Sequence, residues 1–349
     1  MRWPASRVSS ADIYPGSRLA RAGERAMILY VVAIVAIGVA LLLYAIDRLT
    51  RPPQFDFDGA HVVVTGGSQG IGKALATNAA RLGARVTLVA RNATTLAEAK
   101  KDVEKVARRP VHVATMDVCD SYETIARTIR AIEAEQGAID VLVNNAGRAA
   151  VGEFDQLPIN AFDDMMSLNY LGAVKVTRAA VERMKRGSRI AFVSSQAGQI
   201  GLYGYTAYSP SKAALRSFAE ALQMELLPRG VYVSVSFPPD TDTPGLAEEN
   251  KRKPTITKLI SETSGVFSAD AVSRSMISGI RKGKFHIWFG LDGFMLNFLT
   301  TGMAPVHHLG TALVQVCTMS LCRLVSLFYL YDFNKLVKKQ VAREKEKDT

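Results

Sequence analysis

Residues 61–72 limit the possible folds of this chain more than any other stretch. His61-Val62-Val63-Val64-Thr65-Gly66-Gly67-Ser68-Gln69-Gly70-Ile71-Gly72 begins as an apolar run, passes through a glycine-rich turn and ends as a helix start. A strand that apolar is covered on both faces, which points to a parallel sheet flanked by helices. Gly66, Gly70 and Gly72 let the backbone turn tightly and approach a pyrophosphate seated on the helix N-terminus. Ser68, Gln69 and Ile71 share that loop. The order is Thr-Gly-x-x-x-Gly-x-Gly, not the common G-x-G-x-x-G of dinucleotide sites.

The same alternation continues downstream. Strands are predicted at 61–66, 85–90, 111–116, 139–144, 189–195 and 231–237, with Lys284–Phe289 as a last one. Helices are predicted at 70–82, 94–107, 121–136, 160–184 and 206–227. This pattern predicts an α/β, Rossmann-type doubly wound parallel sheet of about seven strands. Right-handed crossovers place the ligand at the carboxyl ends of the strands.

Tyr208 and Lys212 lie four residues apart, with Ser194-Ser195 upstream. Four residues is about one helical turn, so phenol and ammonium share a face. A fixed cation favours the phenolate and should lower the tyrosine pKa from about 10. A serine from a neighbouring strand can hydrogen-bond the substrate oxygen. Together these groups suit proton transfer at a carbonyl/alcohol pair. Pro210 fits the first helical turn, where its missing N–H costs nothing.

With the glycine loop, Asn144-Asn145-Ala146-Gly147 and Asn169 in order, residues 55–290 resemble a complete short-chain dehydrogenase/reductase domain. The resemblance implies roles. Ser195, thirteen residues before Tyr208, is the substrate-facing serine, and Ser194 packs or caps. Tyr208 is the acid, while Lys212 also binds the nicotinamide ribose. Asn169 holds a water against the lysine. Asp117 and Val118 contact the adenine, Asn144 belongs to the cofactor floor, and Thr243 reaches the nicotinamide amide. The family usually has Pro-Gly where this chain has Pro238-Pro239. NAD-selective sites carry an acid after the second strand. Here Ala90-Arg91-Asn92 stands there, and Arg91 offers a fork for a 2′-phosphate, so NADPH is expected.

The blocks Ser194–Gln199, Ala221–Glu225, Pro238–Gly245 and Leu259–Thr263 resemble the branch of that family that reduces 3-ketosphinganine, an amphiphilic long-chain keto base. The Gly302–Pro305 region fits that branch too. Such a substrate carries an ammonium beside its ketone, which would give Asp240 or Asp242 an electrostatic purpose. Residues 244–268 are expected to form a lid. Two alternatives remain: a membrane-anchored enzyme for steroid, retinoid or acyl substrates, and a catalytically silent NADPH-binding scaffold. The intact Asn–Ser–Tyr–Lys set argues against the scaffold.

The charge of +11 matters only where it sits. Residues 1–25 hold five Arg against Asp12 and Glu24, and residues 333–349 hold five Lys and one Arg against three acids. Both basic ends flank apolar stretches, which favours a membrane surface over nucleic acid. Met27–Ile46 is uncharged over 20 residues, long enough for a bilayer core of ~30 Å. The expected organisation is a basic extension (1–26), a transmembrane anchor (27–46), a linker (47–58) and a catalytic domain (59–290). An apolar membrane-associated hairpin (291–332) and a basic tail (333–349) follow.

Arg18, Arg21 and Arg25 ahead of the anchor favour a lumenal domain. NADPH chemistry, and Cys119 as the single cysteine of the catalytic region, favour the cytosol. A start at Met27 would remove the conflict. The ending Lys345-Glu346-Lys347-Asp348-Thr349 resembles a dilysine retrieval signal, so the endoplasmic reticulum membrane with a cytosol-facing domain is expected. The five histidines lack ligand spacing, so no metal is expected. The family resemblance implies a homo-oligomer through the helices near 160–184 and 206–227.

Overall fold

A computed structural model describes residues 15–262 and 265–347. Most of the expected basic extension (1–14), Thr263, and the Asp348-Thr349 end of the dilysine-like tail lie outside the described residues. Two compact units are present: residues 1–51 with 308–310, and residues 52–307 with 311–349.

In the first unit, helix α1 spans Pro15–Thr50. Its stretch Leu29–Arg48 is long and apolar enough to cross a membrane, and its side chains are almost all exposed. Asp47 is an exception. It is buried, accepts a hydrogen bond from the Leu309 amide at 2.6 Å, and pairs with Arg51.

In the second unit a seven-stranded parallel sheet has the order β3-β2-β1-β4-β5-β6-β9. The strands are β1 (His61–Thr65), β2 (Arg85–Ala90), β3 (His112–Thr115), β4 (Val141–Asn144), β5 (Arg189–Val193), β6 (Tyr232–Ser236) and β9 (His286–Ile287). Their apolar residues feed both faces, so two cores form. One lies under α4 (Tyr122–Gln136), α6 (Gly172–Val181) and α7 (Tyr208–Leu226), with Ile129, Val176 and Leu215 fully buried. The other lies under α2 (Gly70–Arg81), α3 (Ala93–Glu104) and α10 (Ala269–Arg281), with Leu75, Leu96 and Met276. Helix α5 (Asn160–Met165) runs into α6 through a π-helical turn, Met166–Leu171. This doubly wound sheet matches the predicted fold class.

Two boundaries differ from expectation. The linker predicted over 47–58 belongs to the domain from residue 52 onward. Phe57 is in the core, the Phe55 amide donates to Arg281 O at 2.8 Å, and Pro52 lies against Gly283. Arg189 explains this packing. Its side chain is fully buried in β5 and donates to Pro53 O at 2.6 Å, Gly187 O at 2.6 Å and Ile280 O at 3.3 Å. Its guanidinium lies 4.4 Å from the Tyr232 ring centroid and 5.4 Å from that of Phe55. Burial lowers its pKa to about 10.

The segment 244–268, expected as a lid, carries two helices, α8 (Pro244–Arg252) and α9 (Thr255–Ser261), whose residues Leu246, Glu249 and Ile260 line the cavity described below. The segment is closed by a short parallel ladder of β7 (Thr241–Asp242) with β8 (Phe267–Ser268). Finally, no apolar hairpin forms over 291–332. Helix α11 (Gly290–Leu299) buries Gly293, Asn297 and Phe298: the Phe298 ring lies 5.9 Å from that of Trp288, and a side chain at Gly293 would begin 3.1 Å from Gln196 Nε2. Helix α12 (Leu309–Lys347) continues through the predicted 332/333 boundary, where no glycine or proline interrupts it. Its stretch Leu309–Arg343 is also long and apolar enough to cross a membrane.

Candidate active site

A cavity of about 1010 Å³ opens along the carboxyl ends of the strands. Its walls include Gly66, Ser68, Gln69, Gly70, Ile71, Arg91, Asp117, Val118, Ser195, Tyr208, Lys212 and Thr243. The topology thus brings together side chains from five separate β–α connections. Asn144, Asn169 and Gly72 stand behind this wall.

The glycine loop is held from outside its own segment. The Asn145 side-chain amide donates to Thr65 O at 3.0 Å and Gly66 O at 3.1 Å. Thr65 Oγ1 accepts from the amides of Asn145 and Ala146. A side chain at Gly72 would begin 2.4 Å from both Asn145 Nδ2 and Gly66 O, so only glycine allows this clamp. Asn145 carried no role in the sequence reading; its position beside the expected floor residue Asn144 was the available signal. Asn144 itself donates to Thr177 Oγ1 at 2.9 Å and is buried beneath the cavity.

At the end of β2, Arg91 is mostly exposed and reaches Asp117 Oδ2 at 3.4 Å. The other Asp117 oxygen accepts from the Cys119 amide at 2.9 Å. Val118 is buried against Gly172. Thr243 caps α8, accepting from the Leu246 amide at 3.1 Å, and touches the glycine loop at Gly70. Gln69 is the extended N-cap residue of α2, and its side chain makes no capping bond.

The proton-transfer end is built differently. Helix α7 starts at Tyr208, with Pro210 in its first turn. Ser194 is buried and donates to Lys212 O at 2.8 Å, tying α7 to β5. Ser195, in extended backbone, caps a short 3₁₀ turn, its Oγ accepting from the Ala197 amide at 3.1 Å, and lines the cavity together with Tyr208. Lys212 is 5 % exposed; its ammonium donates to Val193 O at 2.8 Å and lies 5.9 Å from the Tyr208 ring centroid. Asn169 sits in the π-helical turn, which leaves the regular helical bonding pattern. Its side chain bonds both the N–H and the C=O of Arg148 at 3.0 Å and donates to Ser211 Oγ at 2.9 Å. Gly147 is the spacer. A Cβ there would lie 2.8 Å from Asn169 Oδ1 and 3.1 Å from Lys212 Nζ.

One expectation is corrected here. Lys212 was expected to lower the Tyr208 pKa, but the surrounding protein groups push the phenol up. Burial is the main cause, followed by the negative charge of Glu249; Ser195 opposes them, and Asp240 adds to the rise. Burial also pushes Lys212 down, to about 8. The phenol is therefore held protonated at neutral pH, the form that can give a proton away.

Sequence reading missed the wall facing Tyr208. Lys253, with its side chain 1 % exposed, pairs with Asp240 at 3.1 Å and Glu249 at 3.0 Å. Tyr205 is buried and donates to Glu249 Oε1 at 2.5 Å. Its ring centroid is 5.6 Å from that of Tyr208. Asp240 faces the cavity as expected, whereas Asp242 is exposed and off its wall. The i, i+4 spacing of Glu249 and Lys253 was the only local signal, and it looks like a solvated pair.

The short chain dehydrogenase pattern matches residues 60–254. A 3-dehydrosphinganine reductase of Danio rerio is 50% identical over 316 residues, covering 89% of this chain and 95% of that protein. A 3-ketodihydrosphingosine reductase of Mus musculus is 48% identical over 308 residues, covering 87% and 93%. Among solved structures, a short chain dehydrogenase from Burkholderia cenocepacia J2315 in complex with NADP is similar, with a TM-score of 0.60 and 25% identity. It covers 66% of this chain and 95% of that one. The likeness runs from the glycine loop through the catalytic helix, and the chain belongs to the short-chain dehydrogenase/reductase family, standing beside the 3-ketodihydrosphingosine reductases.

Proposed function

We propose that this chain reduces 3-ketosphinganine to sphinganine with NADPH, at the endoplasmic reticulum membrane and with its catalytic domain in the cytosol. The observation that carries the reading is that Ser195, Tyr208 and a buried Lys212 line one cavity with the glycine loop. The relatives' names supply the substrate.

The residues present fit the dinucleotide. The Asn145-clamped loop leaves room for a pyrophosphate, and no carboxylate ends β2 to repel a 2′-phosphate. Arg91, weakly tied to Asp117 and open to solvent, has the planar fork that a phosphate takes. Ser68 and Gln69 stand near as further donors. Asp117 and Val118 flank the adenine position, and Thr243 the nicotinamide amide.

When bound, NADPH supplies the hydride that the carbonyl carbon accepts. Ser195 and Tyr208 hydrogen-bond the carbonyl oxygen and fix the ketone. As negative charge grows on that oxygen, the Tyr208 O–H bond breaks and its proton passes to the oxygen, giving the alcohol. The Lys212 ammonium stabilises the phenolate left behind and holds the ribose. Asn169, fixed by Arg148 and Ser211, keeps a water in line to return the proton.

A long alkyl chain leaves the bilayer at a cost of ~0.8 kcal/mol per methylene. Apolar helices that hold the domain at the surface remove most of that cost, and α1 and α12 have the length for it. Pairing of two copies through α5–α7 fits the exposed Leu171, Met224 and Leu227.

The test incubates membranes bearing the full chain with 3-ketosphinganine and NADPH or NADH, using retinal and a ketosteroid as controls. Selective, NADPH-dependent formation of sphinganine is expected. No turnover of the keto base, or a preference for NADH, would overturn the reading.

A further inference from the structure

The cavity continues past Tyr208 to the wall made by α8 and α9, which the proton-transfer chemistry does not use. Three ionisable side chains are enclosed there: Asp240, Glu249 and Lys253. Two carboxylates on one ammonium leave a net negative charge. At the rim, Glu248 is paired with Lys251 at 2.6 Å, and Arg252 also lines the cavity. Across the cavity, Arg148 is paired with Asp164 at 3.3 Å.

Glu249 is placed with unusual firmness for a glutamate on a short surface helix. Its side chain is only 14 % exposed. Both hydrogen-bonding partners, the Tyr205 hydroxyl and the Lys253 ammonium, meet the same oxygen, Oε1. Among the described residues, none bonds Oε2. Tyr205 also sets its ring beside that of Tyr208, so the carboxylate and the proton donor are built into one aromatic pair. The negative charges of Glu249 and Asp240 also help to raise the Tyr208 pKa. The same cavity is also lined by apolar side chains, among them Leu202, Leu246, Ile260 and Leu296. A cation-seeking position next to the proton donor, in a cavity that also has apolar walls, suits an amphiphile whose ammonium adjoins its ketone.

We infer that Glu249 selects the amine of the substrate, its free carboxylate oxygen receiving the ammonium beside the ketone while Tyr205 and Lys253 hold the other oxygen. This rests on the proposed reduction of a 2-amino-3-ketone and identifies the residue that recognises the amino group. Asp240 supplies charge but spends it on Lys253. The arrangement also links recognition to chemistry. A bound ammonium offsets the carboxylates that hold the Tyr208 proton in place, so the correct substrate eases its own protonation, and a neutral ketone does not.

The test compares kcat/KM, with NADPH, for 3-ketosphinganine, its N-acetyl derivative and the same ketone lacking the amine. Wild-type protein is expected to favour the free amine by at least about tenfold. In Glu249→Gln that preference should fall about tenfold or more, mainly through KM, with a much smaller change on the ketone lacking the amine. Equal losses on all three substrates, or an unchanged preference, would overturn the inference. Should Glu249→Gln fail to fold, Glu249→Asp keeps the charge but draws it back by a methylene. It should lose about threefold of the preference, and no loss would count against the assignment. Wild type that reduces the amino and desamino ketones equally overturns the inference but leaves the proposed function standing. Wild type that reduces neither overturns both.

Discussion

The two ends of the cavity obey different rules. Around Tyr208, polar side chains are buried and tied to backbone: Lys212 to Val193, Ser194 to α7, Asn169 to both peptide groups of Arg148. Around Arg91 they are exposed, and among the described residues its side chain is paired with an aspartate at 3.4 Å. Proton transfer needs atoms held within tenths of an ångström, whereas phosphate recognition tolerates a mobile guanidinium. Substitutions at the buried end should therefore cost turnover or folding, and substitutions at the open end only affinity.

Tyr208→Phe should show the contrast most strongly. It removes the donated proton and should lower kcat by about 10³-fold or more, equivalent to ~4 kcal/mol of barrier. NADPH binding, followed by fluorescence titration, should stay within about threefold. Substantial residual turnover would mean that the phenol is not the acid. Asn169→Ala comes next. It leaves the Arg148 peptide groups and Ser211 without their partner, and loss of such buried bonds costs about 2–4 kcal/mol. Denaturant unfolding would register that, and an unchanged midpoint would dissolve the distinction between the two ends.

Burial also gives the tyrosine end a pH signature. Lys212, lowered to about 8, carries its proton below that pH and loses it above. A neutral amine no longer stabilises the phenolate, so kcat should fall as pH rises past about 8. A flat profile to pH 10 would show that the charge on Lys212 is not needed. At the open end the effect is smallest. Arg91→Ala should raise KM for NADPH about tenfold, or ~1.4 kcal/mol, with kcat and the NADH reaction nearly unchanged. A fall in kcat instead would show that the two ends are coupled.

Much of this site could be read from local spacing. Gly66 to Gly72, the Tyr208–Lys212 turn and the serine before them are short-range patterns, and each is imposed by one strand end or one helix turn. The sheet could be read for the same reason, since each strand announces itself by a β-branched apolar run. Helix α10 is legible too, since Val272, Met276, Ile277 and Ile280 repeat at helical spacing and are buried. Asp240 stood out beside the sixth strand, but its partners in that wall, Glu249, Lys253 and Tyr205, had no such signal. Tyr205 and Glu249 are 44 residues apart, and a glutamate on a charged helix resembles any surface residue until the fold encloses it. The fate of 52–58 was hidden similarly, because it depends on a distant arginine.

That arginine bears on where a shorter version of the protein can begin. Cutting just ahead of β1, at Gly59, looks safe on grounds of motif, yet it would delete the Pro53 carbonyl and the Phe55 ring from Arg189. A cationic group would then be left in the middle of the sheet with its neutralising surroundings half removed, on the strand that leads into Ser195. The nine residues before the first strand, 52–60, act as an N-terminal plug, and any soluble version should retain them from Pro52.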